Sequence, residues 1–353
     1  MLVQYYYPNI LKPKQLDNYL SKGWFRNANM MYRTKLICLN SELHSVVNIR
    51  LKTEEFQPSK KFRKIIRRND FRFSVIYRPA ILDEEKNALY QDHKSRFEGF
   101  IYSSLELFFY GEEQAANIFN TYECCVYDGD ELIAVSFFDV GENSMASLLA
   151  LYKQTYRKYS LGIYTMLKEI EFAQKQGIQF YYPGYVLDQV SIFDYKLKIG
   201  TYQFYNWKTN RWKKWQLREK MEFHADVLKE KIAKVEKVLA EYQIDYEKLI
   251  YPLFSIGYID YSYLRSPIFI SCFENEIPSL VVEYWLEEEQ FVLSNVSTLE
   301  FESNPNIVEF SKNHSAENNF FNLICYNYNI LVTNDPYELM DFILEWKEED
   351  FEF

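Results

Sequence analysis

Residues 178–186, Ile-Gln-Phe-Tyr-Tyr-Pro-Gly-Tyr-Val, read as a β-strand broken at its middle. Pro183 has no N–H to donate and fixes its own φ, so a sheet that includes this strand loses its ladder there. The preceding segments narrow the topology further. Residues 123–140 (ECCVYDGDELIAVSFFDV) predict a hairpin around Asp128-Gly129-Asp130, and 146–152 (ASLLALY) supply a third strand. Residues 160–177 (SLGIYTMLKEIEFAQKQG) predict a helix with Ser160 as N-cap and Gly177 just past its end. Its buried stripe is Ile163, Met166, Leu167, Ile170 and Ala173. Hairpin, strand, helix and interrupted strand follow in that order, and strand pairing should fail at Pro183-Gly184.

Upstream, residues 16–26 predict a short helix stopped at Gly23, and 30–38 and 44–51 alternate as strands. Phe56-Gln57-Pro58-Ser59 is a turn whose serine can cap a helix over 60–68. Six of the nine residues from Lys60 to Arg68 are basic, and no acidic residue interrupts them. Burying Phe62, Ile65 and Ile66 turns Lys60, Lys61, Arg63, Lys64, Arg67 and Arg68 toward water. Each cation that neutralises a phosphate releases counterions, so this face suits a nucleic-acid backbone. The competing reading is a plain solvated helix face.

The net charge of −10 conceals a division: residues 1–215 carry +7 and residues 216–353 carry −17. A basic part joined to an acidic part implies separate domains, only the first suited to a polyanion. We divide the chain into 1–75, 76–215 and 216–353. The last part shows a long amphipathic helix (217–242), a strand-rich stretch (250–300), a polar loop (301–319) and a final helix capped at Asp335-Pro336. Its class is α+β.

Other chemistries find little support. The four histidines lie far apart without metal-ligand spacing, and no Walker, dinucleotide or Gly-x-Ser-x-Gly pattern occurs. The five cysteines form no Cys-x-x-Cys pair, which suits free thiols in a reducing cytosol. Cys124 and Cys125 are adjacent in a strand and point to opposite faces. The first dozen residues show no secretory pattern, and no apolar run approaches membrane-spanning length. Residues 180–215 interleave tyrosines and tryptophans with lysines and arginines. That mixture fits stacking on unpaired bases, or equally a half-buried antiparallel sheet.

The order of elements in 120–215 resembles the GNAT acyltransferases, whose splayed strands receive an acyl donor. Three stretches, YLSKGWFR (19–26), VNIRLKTEEFQPSKKFRKIIRRN (47–69) and SLGIYTMLKEIEFAQKQGIQFYYPGYVLDQ (160–189), resemble the aminoacyl-tRNA–protein transferases. That family includes arginyltransferases and bacterial leucyltransferases acting on N-terminal Asp or Glu. The positions carrying the likeness are Gly23, Trp24 and Arg26; Arg50, Phe56, Pro58 and Ser59; Ser160, Leu161 and Gly162; Tyr182, Gly184 and Tyr185; and Tyr195-Lys196.

The resemblance implies a small N-terminal α/β domain, a GNAT-like catalytic domain and an additional acidic α+β domain of unknown role. It implies a cytoplasmic enzyme of the N-degron type that moves arginine or leucine from charged tRNA to the α-amine of an acceptor with an N-terminal Asp or Glu. Lys60, Lys61, Arg63, Lys64, Arg67 and Arg68 would contact tRNA. Ser160, Leu161, Gly162, Tyr182, Gly184 and Tyr185 would line the cleft for the aminoacyl end. Arg50 or Lys196 would pair with the acceptor carboxylate, and the sequence names no general base. Of the family's N-terminal cysteine cluster only Cys38 is present, so no metal or other cofactor is expected beyond aminoacyl-tRNA as co-substrate. No membrane or DNA partner is expected. The rivals are a degenerate module that binds RNA or protein N-termini without turnover, and a coenzyme A-dependent acetyltransferase. The single glycine at 160–162 suits a pyrophosphate poorly.

Overall fold

The computed structural model describes residues 1–39, 41–95, 102–111, 117–273, 278–299 and 318–350. Strands β1 (Val3–Tyr6), β2 (Phe25–Asn27), β3 (Met30–Thr34), β4 (Leu36–Leu39), β5 (Glu42–Lys52) and β6 (Ser74–Pro79) alternate with helices α1 (Pro13–Ser21) and α2 (Lys60–Arg72). Helices α3 (Glu84–Lys94) and α4 (Leu105–Tyr110) precede β7 (Thr121–Asp128), β8 (Glu131–Val140) and β9 (Ser144–Tyr152). Helix α5 (Leu161–Lys175) then leads to β10 (Phe180–Tyr182), β11 (Tyr185–Leu187), β12 (Gln203–Asn206) and β13 (Arg211–Lys214). The architecture is mixed α and β with several sheets.

The chain forms two compact units, one of Tyr5–Arg33 and Val47–Met221, the other of Met1–Gln4, Thr34–Val46 and Glu222–Phe353. Where the linear reading divides the chain at 75 and 215, these units interleave. Strand pairing gives the reason: the 49–52 end of β5 pairs antiparallel with both β10 and β12, joining residues from either side of position 75 in one sheet.

In the first unit that sheet runs β13-β12-β5-β10-β9-β8-β7-β6. The β7–β8 hairpin reads as near-continuous apolar sequence because helices cover both faces. Cys125, Val135, Phe137 and Leu151 pack with Leu89, Tyr90, Leu105 and Phe109 from α3 and α4. Val126, Ile133 and Ala134 pack on the other side with Phe73, Leu161 and Tyr164, and Ile65 of α2 joins them. The two adjacent cysteines therefore do face opposite ways.

Some sequence expectations shift. The helix expected over 16–26 ends at Ser21, and Phe25–Asn27 pairs with β3 as a strand. Between them Gly23 sits at φ +77°, where an added Cβ would stand 3.0 Å from the Tyr205 ring. Ser59 caps α2 as expected, accepting from the Phe62 N–H at 3.4 Å. Ser160 occupies the N-cap of α5, but in left-handed backbone (φ 55°) and without a side-chain cap bond.

The second unit holds an antiparallel meander of β14 (Tyr246–Ile250), β15 (Ile268–Cys272), β16 (Leu280–Trp285), β17 (Gln290–Leu299) and β18 (Leu323–Thr333). The helix expected over 217–242 begins later, as α6 (His224–Glu241), after a 3₁₀ turn at Trp215–Lys220. Ala225, Leu228, Ile232, Val235, Val238 and Leu239 are its buried stripe. Helix α6 lacks a cap from its own N-cap residue, and the Ser45 hydroxyl accepts from the Ala225 N–H instead. Asp335 accepts from the Tyr337 N–H in the short turn that leads into α7 (Leu339–Asp350). Most of the loop expected at 301–319 lies outside the described residues. Among the described residues, no helix is long and apolar enough to cross a membrane.

Candidate active site

The break at Pro183-Gly184 opens a cleft within the first unit. Strands β9 and β10 run parallel through Phe180↔Ser144, Tyr181↔Met145 and Tyr182↔Ala146, and there their pairing stops. Beyond it β9 stays with β8 as far as Tyr152, while β11 turns to β5 and the Gly184 carbonyl accepts from the Ile49 N–H at 3.1 Å. A cavity of about 170 Å³ occupies the opening. Ala146, Ser147 and Leu148 form one wall, and Tyr182, Pro183, Gly184 and Tyr185 the other.

Lys196, on a 3₁₀ turn at Ile192–Lys198, reaches into this cavity. Its ammonium donates to the Tyr185 carbonyl at 3.2 Å and lies 5.1 Å from the centre of the Phe193 ring. Among the described residues no carboxylate pairs with it. Burial pulls its pKa down to about 8. Phe25 and Phe193 pack against either side of Tyr185, giving the cleft an aromatic wall.

Arg26 also borders the cavity, yet its guanidinium is fully engaged. It pairs with buried Asp139 at 2.9 Å and donates to Thr121, to the carbonyls of Ala28 and Phe109, and to Asn117. It anchors the wall and has no N–H to spare for a ligand of any size. Asn48 donates through Nδ2 to the Gly23 carbonyl at 2.6 Å, and its buried Oδ1 has no partner among the described residues.

Behind the cleft, α5 lies against β7, β8, β9 and β10, and α2 packs on α5. Asp70 of α2 accepts from the Tyr164 hydroxyl and pairs with Lys168, both on α5. The six basic residues from Lys60 to Arg68 are all exposed. Lys60, Lys61, Lys64 and Arg67 make no ion pair among the described residues. Arg63 donates to the Pro58 carbonyl, and Arg68 bonds Asn69 and lies over the Tyr159 ring.

Residues 76–206 match the model of a family described as arginine-tRNA-protein transferase, C terminus. An aspartate/glutamate leucyltransferase of Leptospira interrogans (serovar copenhageni) is 25% identical over 202 residues, covering 55% of this chain and 76% of that protein. Its counterpart in Campylobacter jejuni (strain RM1221) is 27% identical over 192 residues, covering 52% and 77%. This unit belongs to the aminoacyl-tRNA–protein transferases. It is thus the unit of an enzyme, an aminoacyltransferase. Among solved structures, L-PGS from Bacillus licheniformis aligns at a TM-score of 0.30 and 14% identity, over 42% of this chain and about half (48%) of that one. A likeness that slight adds nothing to the fold.

The matched span of the transferase takes in the cleft strands and Lys196, and begins after α2. Of the residues expected at the aminoacyl end, Tyr182, Gly184 and Tyr185 meet in the cleft. Ser160, Leu161 and Gly162 do not line it. Leu161 is wholly buried among Phe73, Val126 and Ile133, because the first apolar position of α5 is claimed by the core. Arg50 is parted from Lys196 by Tyr182. It bonds the Tyr182 hydroxyl and Gln203, stacks over Phe180 and Trp212, and borders a second hollow with Lys14, Asp17 and Ser144.

The interleaved aromatics of 180–215 serve mainly as sheet packing in the transferase: Tyr181, Tyr202, Tyr205 and Trp207 are buried, and β12 pairs with β13. Sequence reading passed over Phe71, which is 94% exposed beside the cations of α2, and Glu169, fully buried behind the cleft. A phenylalanine off the apolar stripe of a basic helix was a visible signal. A glutamate within a charged helical heptad was not.

Proposed function

We propose that this transferase moves leucine or arginine from charged tRNA to the N-terminal α-amine of acceptor proteins that begin with Asp or Glu, in the cytoplasm, as a step of N-degron formation. We read its first unit as GNAT-like, with the opening between β9 and β10 receiving the aminoacyl-adenosine end. The observation that carries this reading is Lys196: a partly desolvated ammonium, without a carboxylate partner, facing the cavity at the splay. An acidic side chain at the acceptor's first residue supplies the missing counter-charge, and relatives named aspartate/glutamate leucyltransferase fit that choice.

The reaction needs little activation. The aminoacyl ester is already a good acyl donor, and an α-amine with a pKa near ~8 is partly neutral at physiological pH. Attack of the amine nitrogen forms the amide C–N bond and breaks the ester bond to the ribose oxygen. Holding amine and carbonyl in line within a walled cavity removes much of the entropic barrier. Lys60, Lys61, Arg63, Lys64, Arg67 and Arg68 supply the phosphate contacts that bring the tRNA to this unit.

The test is incubation with labelled Leu-tRNA or Arg-tRNA and peptides starting with Asp, Glu or Ala. We expect label on the Asp and Glu peptides only. Absence of transfer from any charged tRNA would reject the reading.

A further inference from the structure

We propose that Glu169 and Ser147 form a proton relay in the wall of the cleft, serving the acceptor amine. This inference rests on the transferase reading above. Glu169 has no exposure to solvent, and one of its oxygens accepts from the Tyr181 hydroxyl at 2.7 Å. Its other oxygen, Oε1, has no hydrogen-bond partner among the described residues. A buried carboxylate with an unused oxygen is costly to maintain, which makes it a candidate for function. Tyr181 immediately precedes Tyr182 of the cleft wall, and Ser147 lines the cleft from β9.

Burial raises the Glu169 pKa to about 7, and the hydroxyls of Ser136, Tyr181 and Ser147 lie close enough to pull partly against that rise. The other groups facing it are Cys124 of β7, Tyr77 of β6 and Tyr195 of the 3₁₀ turn, all neutral near pH 7. Lys168, its neighbour on α5, is turned to Asp70 and Glu171. Among the described residues no cation pairs with Glu169, so it can change charge near neutrality.

The step balances within itself. As the amine nitrogen bonds to the ester carbonyl carbon, it releases a proton to the Ser147 oxygen while the Ser147 proton passes to Glu169. When the ester C–O bond breaks, the same relay in reverse returns one proton to the ribose oxygen. Glu169 ends ionised, as it began. Ser147 touches the reactants, and Glu169 is a positioning residue that acts through it.

The experiment measures single-turnover transfer from charged tRNA to a Glu-starting peptide across pH 5.5–9, for wild type, E169Q, S147A and the double variant. Thermal melts check folding. Expected are a wild-type limb that rises through pH about 7 and its loss in E169Q, which keeps only the later rise of the acceptor amine near ~8, with a rate lower by about 10²-fold and KM for the peptide unchanged. S147A should match E169Q, and the double variant should be no slower than either. An unchanged limb in E169Q, or multiplying effects of the two substitutions, overturns the relay alone. If E169Q does not fold, an unchanged limb in S147A overturns it equally. A wild type inert with every charged tRNA rejects the transferase reading and the relay together.

Discussion

A methyl group added to Gly184 would stand 3.4 Å from the ammonium nitrogen of Lys196. The glycine sits at φ +94°, a region that side chains with a Cβ rarely enter, directly after the proline that ends the β10 ladder. The strand break and the placing of the lysine are thus one local feature. Gly184→Ala should cost roughly 1–2 kcal/mol of stability from backbone strain. Because the methyl would lie in contact with the ammonium, it should raise KM for an acidic-start peptide more than it lowers kcat. Thermal melts and steady-state kinetics separate these effects.

Lys196 should make acceptor selection depend on pH in one direction. Its pKa is held down to about 8 by burial, so its charge fades as pH passes that value. The preference for Glu-start over Ala-start peptides should therefore shrink above pH 8, and Lys196→Met should abolish it at all pH. Loss of one charge-assisted contact worth about 1.5–3 kcal/mol corresponds to roughly a 10- to 150-fold rise in KM. Stability carries the matching sign. Between about 8 and the ordinary 10.5 the unfolded chain keeps a proton that the folded one sheds, so wild type gains stability relative to Lys196→Met as pH rises through that window. Equal pH trends in the melting of the two proteins would contradict this.

The sheet order was partly legible because its cues are local. Pro183 cannot donate, Asp128-Gly129-Asp130 turns a hairpin, and Ser59 caps α2; each acts through its own backbone. The buried fate of Leu161 and the separation of Arg50 from Lys196 were not legible, since both depend on strands far apart in sequence meeting in one sheet. The pairing of β5 with β10 and β12 decides them. Arg26 shows the same limit: its place in Gly-Trp-x-Arg says nothing of its partner, and the fold pairs it with buried Asp139.

The exposed cations of helix α2 should bind tRNA by charge and contribute little to stability. Replacing Lys60, Lys61, Lys64 and Arg67 by Glu removes cations that have no ion-pair partner among the described residues. Melting temperature should change little, since exposed substitutions away from such features usually cost under about 0.5 kcal/mol. Affinity for tRNA should fall, and the slope of log K against log salt should shrink by about 0.7–0.9 for each lost phosphate contact. An unaltered salt slope in a filter-binding titration would remove α2 from the interface.

Phe71→Ala tests whether an exposed ring beside those cations stacks on a base. Its side chain is 94% exposed, so its removal should leave the melt unchanged. A base-stacking contact is worth about 1–3 kcal/mol, which predicts tRNA binding weaker by roughly 5- to 150-fold with an unchanged salt slope. Binding equal to wild type would mark Phe71 as an idle surface residue.

Asp139 should be intolerant of truncation, because it answers a cation that has nowhere else to go. Burial raises the Asp139 carboxyl pKa and lowers that of Arg26, while the pair itself pulls each back toward its charged form. Asp139→Ala leaves the guanidinium buried and uncompensated, a change that costs about 3–5 kcal/mol. Removing both charges with Arg26→Met and Asp139→Leu should restore much of that loss, since an apolar pair avoids the desolvation cost. The cycle should therefore be strongly non-additive, with the double variant melting above Asp139→Ala alone. Because Arg26 also borders the cleft, transfer by the double variant reports whether the wall needs only its shape. With every strong donor of Arg26 already engaged, we expect near-normal KM for the acceptor once the fold is restored.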